Sequence, residues 1–131
     1  MIGLDTNVLV RYIMQDDRKQ AALATRLIEA LTPDDPGFVS LITVVELYWV
    51  LGTSYALSRA QIGAALDALN RSRQLLVEQS EQVVRALRVY ATSSADLPDC
   101  LIERVAKAAG CDRVMTFDVG ASKHAGMMLV V

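Results

Sequence analysis

A chain of 131 residues falls in the size range of one domain, and residues 1–131 are expected to form a single one. With 53% hydrophobic and 21% charged residues, it has the composition of a folded globule, not a disordered chain, and needs neither disulfides nor a metal to fold. A formal net charge of −2 excludes the basic field of a high-affinity nucleic-acid binder. It leaves room for an enzyme that touches a few phosphates around an acidic centre.

From the N-terminus, MIGL reads as a short buried strand, and Asp5 and Arg11 interrupt any secretory apolar core. TNVLVRYIM and DRKQAALATRLIEAL read as helices, the second amphipathic through Ala22, Leu23, Leu27 and Leu31. TPDDPG is a loop, FVSL a short strand, and ITVVELYWVLG a helix closed by Gly52. Ser58 caps a helix from about Arg59 to Leu69, and QLLVE is a third strand. SEQVVRALRVYATS is helical, and so is SADLPDCLIERVAKAAG, with Pro98 in its first turn and Gly110 at its end. RVMTF and MMLVV are the last strands, and His124 lies in a surface loop between them. Strands alternating with helices predict a three-layer α/β/α fold around a central parallel sheet of four to five strands.

No window approaches the roughly 20 apolar residues that span a membrane, so a cytoplasmic protein is expected. Cys100 and Cys111 have no zinc-like spacing, and with one histidine in the chain a Cys/His metal site is not expected. Both thiols are expected to be small buried apolar groups in a reducing compartment.

The chemistry rests on carboxylates. In open parallel sheets functional groups gather at the C-terminal ends of strands. Asp5 ends the first strand and Asp118 follows RVMTF, although either could serve only as a turn residue or helix cap. Glu46 is the only charge in ITVVELYWVL, a helix apolar nearly all round, where it needs a cation, a hydrogen-bonding network or an exposed slot. Asp99 lies in the first turn of its helix on the side of Ile102 and Ala106 and is expected to face inward; Asp96 reads as an N-cap. If the four acids from four elements meet, their repulsion requires protonation or cations, and oxygen-only ligands suit Mg²⁺ or Mn²⁺. Such a centre activates water and clamps a scissile phosphate.

LDTN, ITVVELYWVL with its Glu46, DLPDCLIERVAKAAG, and VMTFD followed by GASKHAGMMLVV together resemble the PIN domain, most closely the VapC-type ribonuclease toxin of toxin–antitoxin pairs. The resemblance runs from Met1 to Val131. It implies that Asp5, Glu46, Asp99 and Asp118 are catalytic, with Asp5, Asp99, Asp118 and Asp96 as metal ligands. Asn7 and Thr116 would brace the pocket, Asn7 holding the carboxylates, while Thr6 could do no more than cap the first helix. The resemblance further implies Mg²⁺- or Mn²⁺-dependent cleavage of RNA, a homodimer, and a cognate antitoxin that places a basic side chain in the acidic pocket. Arg11, on the helix that Asp5 introduces, is the favoured RNA contact among dispersed basic residues. Tyr48, Trp49 and Tyr55 could stack on bases, although core or dimer packing suits them better.

Two other classes compete. A phosphotransfer enzyme also uses an aspartate after its first strand. A haloacid-dehalogenase-type phosphatase, however, wants an acid where Asn7 stands, and a receiver domain wants an aspartate where Glu78 stands. The alternative is a catalytically inactive PIN-like module that binds RNA or protein, in which the acidic set would erode first. Here all four positions are filled.

Overall fold

In the computed structural model, which describes all 131 residues, five of the seven helices begin where a short polar side chain satisfies one of the first free backbone amides. By chain contacts the residues form two compact units, Met1–Glu78 and Gln79–Val131.

The first unit contains β1 (Ile2–Gly3), α1 (Thr6–Met14), α2 (Arg18–Glu29), β2 (Gly37–Val39), α3 (Leu41–Thr53), α4 (Arg59–Arg71) and β3 (Leu75–Val77). Asp5, Asp17, Ser40 and Ser58 cap α1 to α4, the last through a reciprocal capping box with Gln61. The strands pair in parallel in the order β1-β2-β3, with Gly3 opposite Phe38 and Val39 opposite Val77. Each ladder runs one bond further: Leu4 N–H donates to Phe38 O at 2.9 Å and Glu78 N–H to Val39 O at 2.8 Å. Parallel pairing therefore brings the C-terminal ends of all three strands, and with them Asp5, Ser40 and Glu78, to one edge.

Beneath that edge lie Leu9, Ile28, Val39, Leu47, Leu51 and Leu66, all fully buried. Gly37 is required by this packing, because a Cβ there would come within 2.7 Å of Leu4 and 2.8 Å of Leu31.

The second unit contains α5 (Ser80–Ala91), α6 (Leu97–Ala108), β4 (Met115–Thr116), α7 (Val119–His124) and β5 (Met128–Leu129). The helix pair α5 and α6 buries Val83, Ala86, Tyr90, Leu97, Cys100 and Leu101. Gly110, at φ 99°, closes α6 with its amide on Lys107 O and the Cys111 amide on Ala106 O. β4 pairs in parallel with β5, Thr116 opposite Leu129.

The α/β class with parallel strands is thus the observed one, with seven helices. The sheet differs from the expected single sheet of four to five strands: five strands form a three-stranded sheet and a separate two-stranded ladder. β1, β4 and β5 are two residues long, and strands that short offer few groups to extend a ladder. Three local expectations also change. Gly52 does not close α3, which continues to Thr53 and is capped by Ser54, because Gly52 keeps helical backbone near Ile62. His124 is exposed but ends α7, a helix too short to show periodicity. Cys100 is buried as expected, whereas Cys111 is exposed because it follows the chain reversal at Gly110. No helix is long and apolar enough to cross a membrane.

Leu47 is 0% exposed and sits next to Glu46, so Leu47→Ala is expected to cost about 2–5 kcal/mol of stability in urea unfolding. Ile42→Ala, one turn away on the exposed side of the same helix, should stay within about 0.5 kcal/mol of wild type. Equal losses would contradict this assignment of the helix faces.

Candidate functional site

Within the first unit, the chain leaves β1 at Gly3, buries Leu4, and turns into α1 at Asp5, whose extended backbone (φ −80°, ψ 159°) makes it the N-cap. Asp5 Oδ1 accepts from the Thr6 amide at 2.8 Å. The side chain of Asp5 is exposed, and that of Thr6 is 5% exposed. The Thr6 hydroxyl donates to Glu46 Oε1 at 3.1 Å. One buried threonine therefore holds two carboxylates, Asp5 by its amide and Glu46 by its hydroxyl.

Glu46 does not lie in a helix buried all round. Thr43, Val44, Leu47, Tyr48 and Leu51 form the buried face of α3, while Ile42, Glu46, Trp49 and Thr53 fall on an exposed stripe. Spacings of four, three and four residues put these on one side of the helix. Glu46 thus has both the exposed slot and a hydrogen bond. Tyr48 is core and meets the Trp49 ring edge-on at 4.9 Å. Asn7 is exposed and lines a groove between α1 and α2; the contacts expected of it, holding carboxylates, are made by Thr6.

Arg11, the expected RNA contact, has partners within the protein. Its guanidinium donates to Gln20 Oε1 at 2.7 Å, to both Asp16 oxygens at 3.1 Å and to the Tyr55 hydroxyl at 3.0 Å. Tyr55 in turn donates to Asp16 at 2.6 Å. The Tyr55 hydrogen bond holds the Asp16 pKa below its ordinary value and raises that of Arg11. This network ties α1 to the start of α2 and to the turn after α3, and a charge already paired with Asp16 is a poor phosphate anchor.

In the second unit three acids come from two elements. Asp96 has N-cap backbone geometry on α6 without a side-chain capping bond, and Asp99 lies in the first turn. The inward face of α6 is Leu97, Cys100 and Leu101, at i, i+3 and i+4. Ile102 is 55% exposed, so the side Asp99 shares with it is not the core side, and Asp99 is half-buried. Asp118 caps α7, with Oδ1 accepting from the Ala121 amide at 2.8 Å. Thr116 braces this turn: its Oγ1 accepts from the Asp118 amide at 3.0 Å.

Burial, followed by the charges of Asp118 and Asp96, raises the Asp99 pKa above the ordinary aspartate value. Glu103, which the sequence offered no reason to select, is the buried acid of this unit; neighbouring Arg104 neutralises it with donors at 2.7 and 3.2 Å.

The donors are carboxylate oxygens throughout, the chemistry a hard divalent cation takes. In neither unit do three or more Asp, Glu, His or Cys side chains already stand as a metal-holding group.

The sequence matches the model of the PIN domain over residues 2–127, and the chain belongs to that family. PIN domains are generally nucleases and usually bind divalent metals. No curated protein gives a match.

The raised pKa of Asp99 means that the folded protein holds this proton more tightly than the unfolded chain. The resulting penalty is absent below about pH 3.9, grows as pH rises through the raised pKa and is complete above it. Asp99→Asn removes the penalty. In chelator, the variant should melt above wild type at neutral pH, with the difference shrinking in acid. A variant that melts below wild type at neutral pH would contradict the assigned environment.

Proposed function

We propose that this chain is a Mg²⁺- or Mn²⁺-dependent endoribonuclease of the VapC toxin type, one PIN domain made of both units. In this reading Asp5, Glu46, Asp99 and Asp118 are the catalytic carboxylates. Asp5, Asp99, Asp118 and Asp96 are the metal ligands. The observation that carries the reading is the placement of half-buried Asp99 with Asp118 and Asp96: burial first, and then those two charges, opposes its ionisation. A divalent cation relieves that repulsion. Membership of the PIN family and the presence of an acid at every matched position support it further.

The cation, when bound, supplies Lewis acidity toward water and neutralises charge on the phosphodiester. The protein's own groups prepare for it. The amide of Thr6 orients Asp5 Oδ1, and that of Ala121 orients Asp118 Oδ1. Each bond uses one carboxylate oxygen. Thr116 fixes the backbone from which Asp118 projects.

A groove of about 480 Å³ between α1 and α2, with Leu23 and Leu27 among its walls, supports a cognate antitoxin segment as partner. Ile42 and Trp49, exposed on α3, support a homodimer. A protein of this kind works in the cytoplasm.

The test is cleavage of total and structured RNA by the purified protein in Mg²⁺, Mn²⁺ or excess chelator. Discrete fragments that require metal and fall at least about 100-fold in Asp5→Asn and Asp99→Asn are expected, the scale of losing groups that stabilise transition-state charge. Activity that survives both substitutions would contradict the assignment. A folded protein that binds RNA without cutting it would favour a non-catalytic module.

A further inference from the structure

We propose that Thr6 is a positioning residue that sets the spacing and orientation of Asp5 and Glu46, so that Glu46, a catalytic carboxylate in the reading above, also contributes to holding the divalent cation. The inference rests on the metal-site reading above, which uses only the backbone amide of Thr6, and concerns its side-chain hydroxyl.

Thr6 is the first residue of α1, where its amide has no partner within the helix. It satisfies that amide with Asp5 Oδ1. A valine or alanine at this position would do the same, so the cap alone does not require a threonine. The hydroxyl is what distinguishes it. Buried at 5% exposure, the hydroxyl spans 40 residues of sequence to reach Glu46 Oε1 at 3.1 Å. Glu46 is otherwise on the exposed stripe of α3, where a long carboxylate side chain is free to sample several rotamers.

A hydrogen bond from a buried donor on a neighbouring helix selects one of those rotamers. Because the same residue holds Asp5 through its backbone, the two carboxylates are referenced to a single point. They cannot drift independently while Thr6 keeps both bonds. A hydroxyl donor also suits this task chemically. It stabilises an anionic carboxylate without carrying a positive charge that would compete with a cation. Only one oxygen of each acid is occupied, so each keeps an oxygen to offer.

Loss of an outer hydrogen bond to a metal ligand typically costs about 10–100-fold in metal affinity. The experiment is Mn²⁺ titration of the full chain followed by electron paramagnetic resonance, with thermal melts to verify folding. Thr6→Val is expected to bind Mn²⁺ at least about tenfold more weakly than wild type. Thr6→Ser, which keeps the hydroxyl, is expected to regain most of the affinity. In a Glu46→Ala background, Thr6→Val should produce no further loss, which a merely structural role of Thr6 would not predict.

Thr6→Ala serves the same comparison if Thr6→Val does not fold. Wild-type affinity in folded Thr6→Val or Thr6→Ala would overturn the role of Thr6 and leave the metal centre standing. An additive loss in the Glu46→Ala background would also overturn it. If wild type itself takes up no Mn²⁺, the metal reading fails, and this inference falls with it.

Discussion

The first amides of a helix must find acceptors, and in this protein three of the five matched acids stand where those amides emerge. Asp5 and Asp118 are side-chain caps of α1 and α7, and Asp96 occupies the N-cap position of α6. A capping aspartate is fixed by the backbone it serves, which gives a short side chain an orientation that solvent would not. Structural and chemical uses of these residues are therefore not alternatives. The cap fixes one oxygen, and the other is directed by it.

Charge crowding is the consequence. Burial, and then the charges of Asp118 and Asp96, raises the pKa of half-buried Asp99 above the ordinary aspartate value. Functional sites commonly carry such cost, which a core made only of apolar groups would avoid. Elsewhere the protein neutralises its acids with its own cations: Glu103 with Arg104, Asp16 with Arg11. Asp5, Glu46 and Asp118 are instead held by neutral amides and a hydroxyl, which leaves their charge available to something external.

Much of this was legible in the sequence, and for identifiable reasons. α1, α5 and α6 fall where periodicity, caps, Pro98 and Gly110 put them, because those signals act within a few residues. What the sequence could not convey is contact across distance. Nothing local says that Thr6 reaches Glu46, and Thr6 read as a cap while Asp5 performs the capping. α3 read as buried all round because an apolar exposed stripe and an apolar core look alike in composition. The partners of Arg11, namely Asp16, Gln20 and Tyr55, were not legible either, because they belong to other segments. The sheet was overextended in prediction because runs such as RVMTF supply only two paired residues.

The central claim is that the matched carboxylates bind a divalent cation. Paramagnetic broadening of amide resonances by substoichiometric Mn²⁺ tests it most directly, since the effect reports proximity to the ion without requiring turnover. The account predicts that signals around Asp5, Glu46, Asp99 and Asp118 broaden together at the same Mn²⁺ concentration and recover together on adding chelator. No broadening at these residues, or broadening scattered over unrelated surface acids, would contradict it.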